Sequence, residues 1–171
     1  VALGGLAEAL IGQVAGFRLV SHVVAVGAQR ASASTIPTPA DEEALCEASM
    51  RTLDLADNAR FEAAVDEAKH SGDTIGGVVE VIAYGVPVGL GTHVGARERL
   101  DARLAGALMS IQSIKGVEIG DGFAQAALLG SAAHDGIVRG EDGHLTRTTN
   151  HAGGIEGGTS NGAPIVARAG F

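Results

Sequence analysis

Between Met109 and Phe123 the hydrophobic period of the sequence changes, and this change constrains the fold more than any other feature. Upstream, Leu100, Leu104, Leu108 and Ile111 recur at helical spacing. Downstream, Val117 and Ile119 alternate with Glu118 and with glycines, the pattern of a half-buried strand. The same two periods recur along the chain. Leu3, Leu6, Leu10 and Val14 predict a helix over residues 1–14, and Phe61, Ala64, Val65 and Ala68 predict another, starting at Asp57. Residues 17–29, 74–88 and 164–171 alternate as strands. The element order is α-β-α-α-β-α-β-loop-β, which predicts an α/β (α+β) layered domain with antiparallel connections. Aromatic residues make up 3% of the chain and Trp is absent, so the core has to come from Val, Ile, Leu and Ala.

Local signals place the ends of these elements. Thr38-Pro39-Ala40-Asp41 has the cap, the first-turn proline and the acidic residue of a helix start, and a short helix to about Ala48 follows. Lys69 and His70 precede Gly72, a helix stop. Gly4 and Gly5 weaken the first helix, and close packing against a neighbour is the expected reason for them. Residues 130–149 are polar and aperiodic and read as a long loop, either functional or disordered.

Charge and cysteine usage exclude several classes. Twelve Lys and Arg against 20 Asp and Glu give a net charge of −8, so no nucleic-acid partner is expected, because such surfaces need clustered cations. An anionic ligand stays possible, since main-chain N–H groups and a few cations can hold one. Cys46 is the only cysteine, so no internal disulfide can form and a reducing compartment is expected. No apolar run approaches about 18 residues and no basic leader precedes one, so neither a membrane span nor a signal peptide is expected. The first residue is Val1, within a helical pattern, which reads as a start inside a larger protein.

Few residues suggest chemistry on local grounds. Gln112, Ser113 and Lys115 offer an amide, a hydroxyl, an ammonium and main-chain N–H groups at a helix-to-strand turn, where a heteroaromatic edge or a phosphate can sit. The simpler reading has Ser113 capping and Lys115 solvated. Glu118 and Asp121 are three apart on a strand, hence on opposite faces, and read as a structural pair rather than an acid/base pair. In the run from Asn150 to Gly162, Gly153-Gly154 and Gly157-Gly158 allow close approach of a ligand or another chain, and equally a hairpin or hinge. The six histidines lack zinc-site spacing; His22 reads as a core residue, and His151 is the one placed near a possible ligand. Ser131, Ser160 and Cys46 have no acid/base neighbours in the sequence to support nucleophilic catalysis.

Taken whole, three stretches resemble chorismate synthase. They are Met109-Ser110-Ile111 through Ile114-Lys115-Gly116-Val117-Glu118-Ile119-Gly120-Asp121-Gly122-Phe123, Asn150-His151-Ala152-Gly153-Gly154 with Gly157-Gly158, and Gly72-Asp73-Thr74-Ile75-Gly76-Gly77-Val78-Val79-Glu80 with Gly85-Val86-Pro87-Val88-Gly89-Leu90-Gly91. The resemblance spans nearly the whole chain and implies a sandwich of helices packed between mainly antiparallel sheets. It implies a cytoplasmic, homotetrameric lyase of the shikimate pathway, in aromatic amino acid biosynthesis. Its substrate would be 5-enolpyruvylshikimate 3-phosphate, from which phosphate is eliminated to give chorismate. The implied cofactor is reduced FMN, lending electron density and recovering it so that the reaction is redox-neutral overall. Carried over by position, the flavin contacts are Gln112, Ser113 and Gly157, expected to meet at one isoalloxazine; many relatives have Ala where this chain has Ser113.

The family's Gly-Glu-Ser-His-Gly and Arg-His-Asp motifs, its Arg-Ala-Ser-Ala-Arg-Glu-Thr stretch and its flavin-binding Lys-Pro segment do not occur in these residues. The resemblance therefore implies that residues 1–171 form one domain, an internal fragment of the enzyme that contains no catalytic residue and is inactive alone. The alternative is a structural or assembly module with no ligand of its own, its glycines serving packing between subunits.

Overall fold

The computed structural model describes residues 2–32, 36–141 and 143–171. In chain order its elements are α1 (Ala2–Ala15), β1 (Arg18–Val26), β2 (Gln29–Arg30), α2 (Glu42–Glu47), α3 (Leu55–Ser71), β3 (Gly77–Tyr84), α4 (Leu100–Met109), β4 (Gly116–Ile119), α5 (Gly130–Ala133), β5 (Ile137–Arg139), β6 (Leu145–Arg147), β7 (Ile155–Glu156), β8 (Thr159–Ser160) and β9 (Ile165–Gly170). Short 3-10 turns lie at Pro39–Asp41 and Gly122–Ala127. Five strands form one sheet in the order β2-β1-β3-β9-β4, every neighbour antiparallel. The α+β layered class expected from the sequence therefore holds, with β5-β6 and β7-β8 added as separate two-stranded hairpins.

One face of the sheet carries Ala83, Ile119 and Ile165. Leu100 and Leu104 of α4 pack there, around a buried cluster of Val86, Ile155 and Ile165. This is the helical stripe ahead of Met109 meeting the alternation after it. The opposite face carries Val20, Ile82 and Val166, all buried. A bulge at Val24, where the register jumps between Val23 and Ala25, shifts β1 by one residue against β3. Beyond the end of β2, the Val23 amide donates to the Arg51 carbonyl at 3.0 Å, with Arg51 held at φ 52°.

Two expectations need correction. The longest helix begins three residues earlier than predicted: Asp54, not Asp57, caps α3 by accepting from the Ala56 and Asp57 amides. Asp57 lies inside the first turn, buried, with its carboxylate accepting the Ser32 amide and hydroxyl, both at 2.7 Å, and a bond from Arg60. Residues 130–149 are not a featureless loop but contain α5 and the β5-β6 hairpin. Gly4 and Gly5 have open space around them among the described residues, a Cβ added at either meeting nothing within 4 Å. The whole apolar stripe of α1 is exposed, with Leu3 at 83% and Val14 at 78%.

Candidate functional site

The resembling stretches gather at two ends of the sheet. At one end, β4 begins beside the finish of β9: the Lys115 amide donates to the Gly170 carbonyl at 2.8 Å, and Gly77 and Phe171 exchange main-chain bonds at 3.1 Å. The turn leading into β4 is Gln112-Ser113-Ile114. Ser113 adopts φ 77°, a left-handed conformation that a side chain disfavours. Such an outlier at an exposed turn suggests a functional constraint. Gln112, Ser113 and Lys115 are exposed, and their side chains make no hydrogen bond or ion pair with any described residue. An amide, a hydroxyl and an ammonium are thus free to meet a ligand.

At the other end, residues 150–160 fold over the finish of β4. Gly120, at φ 59°, crosses the segment 151–153 so closely that a Cβ on it would lie 2.5 Å from the Gly153 nitrogen. The Asp121 amide donates to the His151 carbonyl and the Gly120 amide to the Val166 carbonyl, each at 2.9 Å. The Asp135 carboxylate accepts the His151 and Ala152 amides and the Thr149 hydroxyl, at 2.6–2.9 Å. Burial pushes this carboxyl up, but these bonds outweigh it and hold the Asp135 pKa below the ordinary range. His151 Nδ1 lies 2.6 Å from Asp121 Oδ2, so Asp121 fixes the ring as well as the turn.

Strands β7 and β8 then form a two-residue hairpin whose loop, Gly157-Gly158, has positive φ at both positions (58° and 85°). This is the type I′ geometry that matches strand twist. Most glycines of this run are locked by neighbours. A Cβ would strike Gly120 from Gly153, the Pro164 carbonyl from Gly154, Thr92 and Arg99 from Gly158, and Val88 from Gly162. Gly157 differs, with nothing within 4 Å.

The three expected flavin contacts are not brought to one point. The Gly158 carbonyl accepts from the Leu100 amide at the start of α4, whereas Gln112 and Ser113 follow its end. The ten-residue helix between them has about 15 Å of rise, more than the long edge of an isoalloxazine.

A charged row crosses the sheet on the face opposite α4. The register aligns His22, Glu80, Arg168 and Glu118 on four successive strands. His22 Nε2 lies 2.8 Å from Glu80 Oε1, and Arg168 Nε donates to Glu80 Oε2 at 2.6 Å. Arg168 Nη1 donates to the Gly120 carbonyl at 3.1 Å and lies 3.8 Å from Glu118 Oε2. Glu80 is only 3% exposed. Burial alone would raise its pKa, but the His22 bond and the Arg168 charge win and hold it below the usual carboxylate value. A cavity of about 510 Å³ lies over the row, walled also by Val24, Val78 and Arg30. Sequence reading placed His22 in the core and Glu118 across the sheet, as found, but missed the row. Its signal was partly present, since Glu80 in β3 and Arg168 in β9 are the lone charges of their strands and are flanked by apolar residues. Among the described residues no group of three His, Cys, Asp or Glu could hold a metal, and no helix is long and apolar enough to cross a membrane.

The whole chain, residues 1–171, matches the family model described as chorismate synthase. It is 55% identical over 170 residues to a chorismate synthase of Beutenbergia cavernae, and 56% identical over 169 residues to one of Acidothermus cellulolyticus. Each alignment covers 99% of this chain and 43% of the relative, so the chain spans less than half the length of these curated relatives. A solved structure described as a crystal structure of chorismate synthase superposes with a TM-score of 0.90 at 36% identity, over 99% of this chain and 53% of the other.

Proposed function

Since this chain belongs to the chorismate synthase family, we propose that it is the central part of an FMN-dependent lyase that converts 5-enolpyruvylshikimate 3-phosphate to chorismate and phosphate. On this reading it acts in the shikimate pathway, in the cytoplasm, as part of a homotetramer. Reduced FMN, when bound, supplies electron density while phosphate leaves. The contribution of these 171 residues is positional. Ser113 and Gln112 offer a hydroxyl and an amide with no partner among the described residues, and Gly157 offers main chain at an open turn. The separation of these sites along α4 suits a ligand longer than a flavin ring, such as the ring together with its phosphorylated arm. Catalytic histidines and a cluster of arginines for the substrate phosphate are assigned to parts of the enzyme outside these residues, so these residues alone bind FMN weakly and do not turn over substrate.

The observation that carries the cofactor reading is that Gly157 is open while its glycine neighbours are locked. The test is calorimetric titration of FMN into the full-length protein and its Gly157→Val variant. A loss of affinity of at least ~10-fold, with the oligomer intact, is expected. Unchanged affinity with a dissolved oligomer would favour the assembly reading, which the exposed apolar stripe of α1 also supports.

A further inference from the structure

We infer that Arg168 is a positioning residue for the hairpin that carries Gly157 and acts through the Gly120 peptide without touching ligand; the inference rests on that hairpin being the ligand contact proposed above. The guanidinium is a rigid fork. One prong, Nε, is anchored on Glu80, itself buried and held from the far side by His22. The other, Nη1, reaches the Gly120 carbonyl. The anchor is fixed by two strands, so the second prong sets the orientation of the Gly120 peptide.

That peptide sets the next layer. Gly120 lies against Gly153 with no room for a side chain. Its amide donates to the Val166 carbonyl, and the Val166 amide in turn donates to the Gly153 carbonyl at 3.2 Å. Asp121 takes the His151 carbonyl. The segment 151–154 is thus registered on the Gly120 turn, and β7 follows it directly, the Ile155 amide bonding back to the Ala152 carbonyl at 3.4 Å. The second limb has separate ties: the Leu100 amide to the Gly158 carbonyl, and the Ser160 amide to the Leu90 carbonyl, both at 2.9 Å. Arg168 therefore governs the limb that leads into Gly157 and leaves the limb that follows it fixed.

The test uses the full-length protein and Arg168→Lys. An ammonium keeps the ion pair with Glu80 but cannot fork to Gly120 as well. Hydrogen exchange at Asp121 and at Gly153–Ile155 is expected to quicken ~10-fold, with Leu100 and Ser160 unchanged, and FMN to bind ~10-fold more weakly. Glu80→Gln guards against a variant that merely fails to pack. It removes the buried charge, while its amide oxygen can still accept from Arg168 Nε and leave the fork to Gly120 in place, so it should lower stability without selective opening of residues 153–155. Uniform quickening in Arg168→Lys, no quickening, or the same selective opening in Glu80→Gln would overturn the positioning role. Selective opening with unchanged FMN affinity would instead uphold it and refute the hairpin as a flavin contact.

Discussion

Replacing Gly120 by Ala tests whether the crossing of the two glycine-rich stretches is as tight as the structure requires. Two costs combine. A left-handed φ of 59° costs an L-residue about 1–2 kcal/mol. The added methyl would also lie 2.5 Å from the Gly153 nitrogen and 2.7 Å from the Ala152 carbonyl carbon, main-chain atoms that cannot swing aside as a side chain could. The crossing must open, weakening the Gly120–Val166 and Asp121–His151 main-chain bonds, each worth about 1 kcal/mol and more if a donor stays buried. The expected loss is about 4 kcal/mol. Gly157→Ala shares the left-handed penalty, with φ 58°, but meets open space, so its loss is about 1 kcal/mol. In a domain of this size the pair should differ in thermal midpoint by about 6–12 °C. Urea unfolding of both variants in parallel supplies the free energies. Equal losses would mean that the crossing yields freely, and that the glycines at Gly120 and Gly153 are not there for steric reasons.

Two further outcomes follow from burial and charge. Phe61→Ala, at a side chain with no exposed surface, should cost about 3–5 kcal/mol in urea unfolding; a loss below about 1 kcal/mol would show that α3 does not seal the core. Glu80, Asp135 and Glu156 all titrate below their ordinary values in the folded chain, Glu156 chiefly through its bond to Arg147. Their stabilisation is complete above the unfolded carboxylate range, about pH 4, and is lost as pH falls through the depressed folded values. The urea midpoint should therefore stay level from pH 7 to about 5 and drop below about 4, less steeply in Glu80→Gln; a midpoint that rises on acidification would contradict the sign.

What the sequence could disclose depended on the reach of each signal. Period-2 and period-3.6 patterns act over five to fifteen residues, and they located β1, β3, β4, β9, α3 and α4. The start of α3 was misplaced at Asp57 because an Asp there suits a cap by type alone; in the fold Asp54 caps, and Ser32 claims Asp57 from 25 residues away. The β5-β6 hairpin was invisible because three-residue strands hold too few positions to show a period. The Glu80–Arg168 pair spans 88 residues and exists only once strand order and register are known. Gln112, Ser113 and Gly157 came from resemblance. Their exposure and the left-handed backbone of Ser113 and Gly157 are structural facts, whereas their separation by α4 could not be foreseen from linear spacing.

The two borders of the main sheet are unlike. On the β1 side, the Arg51 carbonyl occupies the amide of Val23 just where β2 stops, so an incoming segment finds that position taken. On the far side, β4 has β9 as its one strand neighbour among the described residues. Any extension of this sheet, whether by more of the same polypeptide or by a second molecule, consequently has a direction: it can proceed outward from Val117 and Ile119 and is stoppered at Val23.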